Sequence, residues 1–245
     1  MAKTLIGIDC AVQAKNIGLA LASFDGEGAK IDQVILGGGR ISIADIIAGW
    51  LSDAQEALIA LDAPLGWPKA LGTALYTHAA GDPIRVEPNR LFRRETDLFV
   101  KRKIGKQPLD VGADRIARTA QSALNLLDEI RELTGQAIPL AWKPGGLSGV
   151  SAIEVYPAAT LITHDLQVRG YKRADGQQAR RELVNKLRGH ISLPADVSIL
   201  ENSDDALDAA VCVLAGADFL RGEVYEPRDL ELAKKEGWIW VQRET

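Results

Sequence analysis

Leu5-Ile6-Gly7-Ile8-Asp9 and Leu58-Ile59-Ala60-Leu61-Asp62 repeat one pattern, a short apolar run that ends on an aspartate. A continuous apolar run of this length suits a strand covered on both faces. In α/β sheets the carboxyl ends of such strands are where ligand crevices form. Pro64 and Gly66 stop the second run. Ser151-Ala152-Ile153 leads in the same way to Glu154, and Pro157 stops it. Singly, each acid reads as a turn carboxylate bonded to nearby backbone amides. Together they read as a group, because the order of the elements brings their strands side by side.

That order follows from the stretches around the two runs. Thr4–Ile8, Asn16–Ser23 and about Ile31–Leu36 are strands joined by short turns, so they form an antiparallel meander. Gly37-Gly38-Gly39 ends the third strand. It lacks the Lys-Ser/Thr ending of a phosphate loop and reads as a plain turn. Ser42 caps a helix with Ile43, Ile46, Ile47, Trp50 and Leu51 at helical spacing. This helix gives a crossover to the run ending at Asp62, which then lies beside the first strand. A helix over Asp114–Leu133 repeats the move to a fifth strand, Ser151–Tyr156. The fold class expected is α/β: a mixed five-stranded sheet in the order 3-2-1-4-5, with strand 2 antiparallel and helices on both faces. Gln177–Leu187 reads as a basic amphipathic helix and Ser203 caps a last long helix to about Leu220. Residues 67–110, with prolines at 68, 83, 88 and 108, read as an irregular insertion into one domain spanning residues 1–245. Trp238–Val241 reads as a strand without a place in the sheet.

Composition narrows the chemistry. At 47% hydrophobic and 25% charged residues, the 245-residue chain is globular and not disordered. Its longest apolar runs, such as Ala209–Ala217, fall far short of the roughly 20 residues a bilayer requires. Leu5–Ile8 is too short for the core of a signal peptide, and a cytoplasmic location is expected. Cys10 and Cys212 belong to no paired motif, and His78, His164 and His190 lack zinc-ligand spacing. A metal site here is therefore built from oxygen, which favours magnesium, manganese or calcium. The net charge is −4, yet Arg85–Lys106 and Arg169–Arg188 are each net +5. Two basic islands on an acidic body suit a polyanion held in a local groove, although a solvated helix face reads the same way.

The last helix begins Ser203-Asp204-Asp205-Ala206-Leu207-Asp208. Its dipole accounts for acids in the first turn. It does not account for Asp208, one turn further in among Ala, Leu and Val. Asp205 and Asp208 are three residues apart and share a face. Aimed at Asp9 and Asp62, they complete a four-carboxylate cup for one or two hard divalent ions. Two such ions about 4 Å apart suit in-line phosphodiester displacement. Lys15, in the first hairpin, is a candidate phosphate contact.

Gly7-Ile8-Asp9, Leu61-Asp62 and Asp205-Ala-Leu-Asp208-Ala resemble the RNase H-like superfamily, and the Asp-x-x-Asp-Ala spacing is closest to the RuvC-type resolvases. Those resolvases usually carry Glu where this chain has Asp62. Leu61-Asp62-Ala-Pro-Leu-Gly66, Arg93-Arg94-Glu-Thr-Asp97, Glu154-Val-Tyr-Pro157 and Asp204-Asp205-Ala-Leu-Asp208-Ala-Ala resemble domain-of-unknown-function family 429, described as predicted RNase H-like nucleases. The resemblance implies an RNase H-like fold and a metal-dependent nuclease acting on DNA or RNA. It implies Mg²⁺ or Mn²⁺ held by Asp9, Asp62, Asp205 and Asp208, with Glu154 as a further catalytic residue. It also implies Arg93 and Arg94 as substrate contacts. Two other readings stay open, a non-catalytic nucleic-acid-binding or regulatory protein of the same fold and an actin/Hsp70-like phosphotransferase.

Overall fold

A computed structural model describes residues 2–112 and 114–244. Five strands, β1 (Lys3–Asp9), β2 (Gly18–Phe24), β3 (Ala29–Leu36), β4 (Ala57–Asp62) and β5 (Val150–Glu154), form one open sheet in the order β3-β2-β1-β4-β5. β2 runs antiparallel to both its neighbours, while β1, β4 and β5 are parallel. The helices are α1 (Ile43–Leu51), α2 (Lys69–Leu75), α3 (Pro88–Phe92), α4 (Glu95–Ile104), α5 (Asp114–Thr134), α6 (Pro157–Thr163), α7 (Gln177–Leu187), α8 (Ser198–Asn202), α9 (Asp204–Arg221) and α10 (Leu230–Glu236). The expected mixed sheet is thus the observed one. Among the described residues no helix is long and apolar enough to cross a membrane.

Strand alternation sorts the sheet's side chains into two cores. Leu5, Leu58, Ala60 and Ile153 pack with α7 and α9 on one face. Ile6, Ile8, Ile59, Leu61 and Ala152 pack with α1 and α5 on the other. The side of each strand-end acid follows. Asp9 continues the parity of Leu5, and Asp62 that of Leu58 and Ala60, so both belong to the α9 side. Glu154 continues the parity of Val150 and Ala152 and belongs to the opposite side.

Glycine lets α9 lie unusually close to the strands. A Cβ at Gly7 would stand 2.1 Å from the Ala209 carbonyl oxygen, and one at Gly18 would stand 2.0 Å from that of Asp205. Any side chain at either position would push the helix away.

Residues 67–110 differ from the irregular insertion expected, because they hold α2, α3 and α4. These helices are 5 to 10 residues long, too short to show a clear helical period. The prolines delimit them: Pro68 caps α2 and Pro88 opens α3. The segment 238–241 lies against the end of β5. Ile239 bridges Glu154, and the Trp240 amide donates to the Glu154 carbonyl at 3.0 Å.

Candidate metal centre

Register brings the first two acids together. Asp9 and Asp62 are paired positions at the ends of the parallel strands β1 and β4. α9 supplies the third. The Ser203 hydroxyl accepts from the Ala206 amide at 3.2 Å and starts the helix above the strand ends, which places Asp208 one turn into the buried face. Carboxylate oxygens of Asp9, Asp62 and Asp208 lie within 4.8 Å of one another. Asp208 is 1% exposed, whereas Asp9 and Asp62 keep part of their surface open.

Three carboxylates this close raise one another's proton affinity. Burial, then the charges of Asp62 and Asp208, push Asp9 from 3.8 up to about 10, with Lys172 pulling the other way. Burial and the Asp208 charge push Asp62 up to about 7. Burial also raises Asp208, opposed by Lys172 and Tyr171. Such a group either keeps protons or gains a cation. The Tyr171 hydroxyl donates to Asp208 Oδ1 at 2.9 Å, and the Lys172 ammonium makes an ion pair with Asp208 Oδ2. Among the described residues that ammonium is the one partner of this buried oxygen. An oxygen met by one half-exposed ammonium, beside two further carboxylates, is a donor set that fits a hard divalent ion.

The remaining expected site residues lie outside the converging trio. Asp205 stands half-buried beside the group. Burial and the charges of Asp204 and Asp208 raise it, while a hydrogen bond with Asp9 lowers it. Its oxygens are not among those that converge. Lys15 is exposed on the turn Ala14–Asn16 and, among the described residues, pairs with no acid.

Glu154 and Arg94 are engaged with each other, and Arg94 with Asp97, and not with the acid group. Arg94 is 1% exposed and directs all five of its N–H groups inward. Nε donates to Asp97 Oδ2 at 3.1 Å. Nη1 donates to Glu154 Oε2 at 2.8 Å and to the Glu236 carbonyl at 3.3 Å. Nη2 donates to Asp97 Oδ1 at 2.9 Å and to Glu154 Oε1 at 2.7 Å. No donor is left for a phosphate. Glu154 also accepts the Leu65 amide at 3.0 Å, so both of its oxygens are engaged. The pair ties β5 to α4. Arg93 bonds Asp110 and Asn89, each at 2.8 Å, and remains partly open.

Sequence reasoning missed Tyr171 and Lys172. The second basic island contains Lys172, and that was the available signal, but nothing in the local sequence says which of its cations turns inward. No curated protein matches the chain. The family model described as "Protein of unknown function (DUF429)" covers residues 7–231, from inside β1 to α10 and including all three converging aspartates, so the chain belongs to the DUF429 family.

Proposed function

We propose that the chain is a divalent-metal-dependent nuclease of RNase H-like fold, hydrolysing phosphodiester bonds of DNA or RNA with Mg²⁺ or Mn²⁺. The convergence of Asp9, Asp62 and Asp208 to within 4.8 Å carries this reading. These three residues would hold the ion, with Asp205 at hand for a second. An ion bound there would supply an activated water and stabilisation of a leaving oxygen. Asp9 and Asp62, being partly open, face the side from which a phosphate can approach. The Tyr171 hydroxyl donates to Asp208 Oδ1 and helps orient its carboxylate. Magnesium needs few protein ligands when water and phosphate oxygens complete its shell, so three carboxylates suffice. The shorter Asp62, where the resolvases usually carry Glu, stands in register with Asp9 at the paired ends of β1 and β4. The basic islands, one of which supplies α4 with Lys101, Arg102 and Lys103, suit a polyanionic partner.

The test is a panel of single-stranded, duplex and hybrid nucleic acids incubated with Mn²⁺ or Mg²⁺. Cleavage is expected with either ion, falling by more than about a hundredfold in Asp9→Asn and Asp208→Asn. Cleavage that persists in both variants would overturn the assignment, as would a wild-type protein inert toward the whole panel.

A further inference from the structure

Asp208 Oδ2 meets a cation that belongs to the chain itself. Lys172 comes from the loop between α6 and α7, and its backbone is clamped. The buried Arg180 donates from Nη1 to the carbonyls of Tyr171 at 2.7 Å and Arg173 at 3.1 Å, and from Nε to that of Glu201 at 2.9 Å. The Lys172 side chain is not clamped. It is 54% exposed, while the oxygen it pairs with belongs to a side chain exposed by 1%. The ammonium therefore reaches from solvent into the acid group on a flexible four-carbon stem. Tyr171 satisfies the other oxygen of the same carboxylate, so Oδ2 is the atom over which an ammonium and a divalent ion compete. Like charges exclude each other at one oxygen, and the stem permits the ammonium to leave without moving the backbone.

We propose that Lys172 is a tethered counter-ion that holds the place of the divalent ion on Asp208 and gives it up, by side-chain rotation alone, when the ion binds. This rests on the metal-site reading above. A lysine that served as a permanent positioning partner of Asp208 would have the opposite effect on ion affinity.

Calorimetric titration of the full chain with Mn²⁺ separates the two. Lys172→Met is expected to bind Mn²⁺ at least about tenfold more tightly than wild type, about 1.4 kcal/mol. Lys172→Arg, which keeps the charge, is expected not to tighten. Without ion, Lys172→Met should melt below wild type, and Mn²⁺ should close the gap. Equal or weaker binding by Lys172→Met, with wild type binding normally, overturns the displacement and leaves the metal site standing. Failure of both folded proteins to bind overturns both. If Lys172→Met does not fold, amine labelling of wild-type Lys172 mapped by mass spectrometry gives a second reading. Labelling that rises with Mn²⁺ supports displacement, and unchanged or reduced labelling overturns it.

Discussion

Two groups of acids lie at neighbouring strand ends of this sheet, and their partners differ. Burial raises the proton affinity of Glu154 in one as it does that of Asp9, Asp62 and Asp208 in the other. Asp97 and Glu154 share Arg94, whose five donors are all used, and Glu154 takes a backbone amide besides. Asp9, Asp62 and Asp208 share one lysine that touches one of them and is half in water. The first group is complete as it stands, so it reads as architecture. The second is short of positive charge and of hydrogen-bond donors, and a folded chain keeps such a deficit where a ligand removes it. Buried acid alone does not distinguish the two. The state of their partners does.

The largest effect expected from this contrast is on the completed side. Removing Arg94 as Arg94→Met strands two buried carboxylates, and urea unfolding should show a loss of about 3–5 kcal/mol. A loss under about 1 kcal/mol would mean that Glu154 and Asp97 find water or a proton, and the contrast would fail.

On the incomplete side the expected signature is a pH slope. Asp9 and Asp62 have folded values raised from 3.8 to about 10 and about 7. Between those values and the unfolded one, the native state holds more protons than the unfolded state. Stability of the metal-free protein is therefore complete near pH 4 and declines as pH rises through 7 toward 10. Melting temperatures across that range should follow this course in wild type and flatten in Asp9→Asn. Saturating Mn²⁺ should reverse the slope in wild type, because the ion takes the deprotonated acids. A flat wild-type profile without metal would show that the three charges do not interact as their spacing requires.

The smallest effect concerns Tyr171. Tyr171→Phe deletes one neutral donor to Asp208 and should cost about 1 kcal/mol in the metal-free protein. Because Asp208 then lacks an orienting bond, Mn²⁺ affinity should fall as well. A rise would place Tyr171 with Lys172 as an obstacle to the ion.

Much of this arrangement could be read from the chain. Apolar runs ending in Asp9 and Asp62 indicate strands, acids and crevice at once, and linker lengths fix which strands adjoin. Asp208 stands out because dipole and capping explain Asp204 and Asp205 but not an acid deeper in the helix. Glu154 looks the same as Asp62 in sequence. What separates them is strand parity, which points the two to opposite faces, and a partner sixty residues away that no local pattern names. Arg94 has the character of an anion binder, and it does bind anions, but they are the chain's own. The short helices of residues 67–110 lie below the length at which periodicity speaks, and Tyr171 and Lys172 reach Asp208 across more than thirty residues of chain. Tertiary pairing of this kind leaves no trace in composition.

Gly7 and Gly18 carry a hydrogen where any other residue type would carry carbon, and that one difference decides how near α9 comes to the strands facing it. A methyl group lost elsewhere in the core would leave a gap. A methyl group gained at either glycine would instead alter a length, lifting Asp208 off its two companions while leaving all three in place chemically. The dimension on which any shared ion depends is thus held by residues with no reactive group of their own.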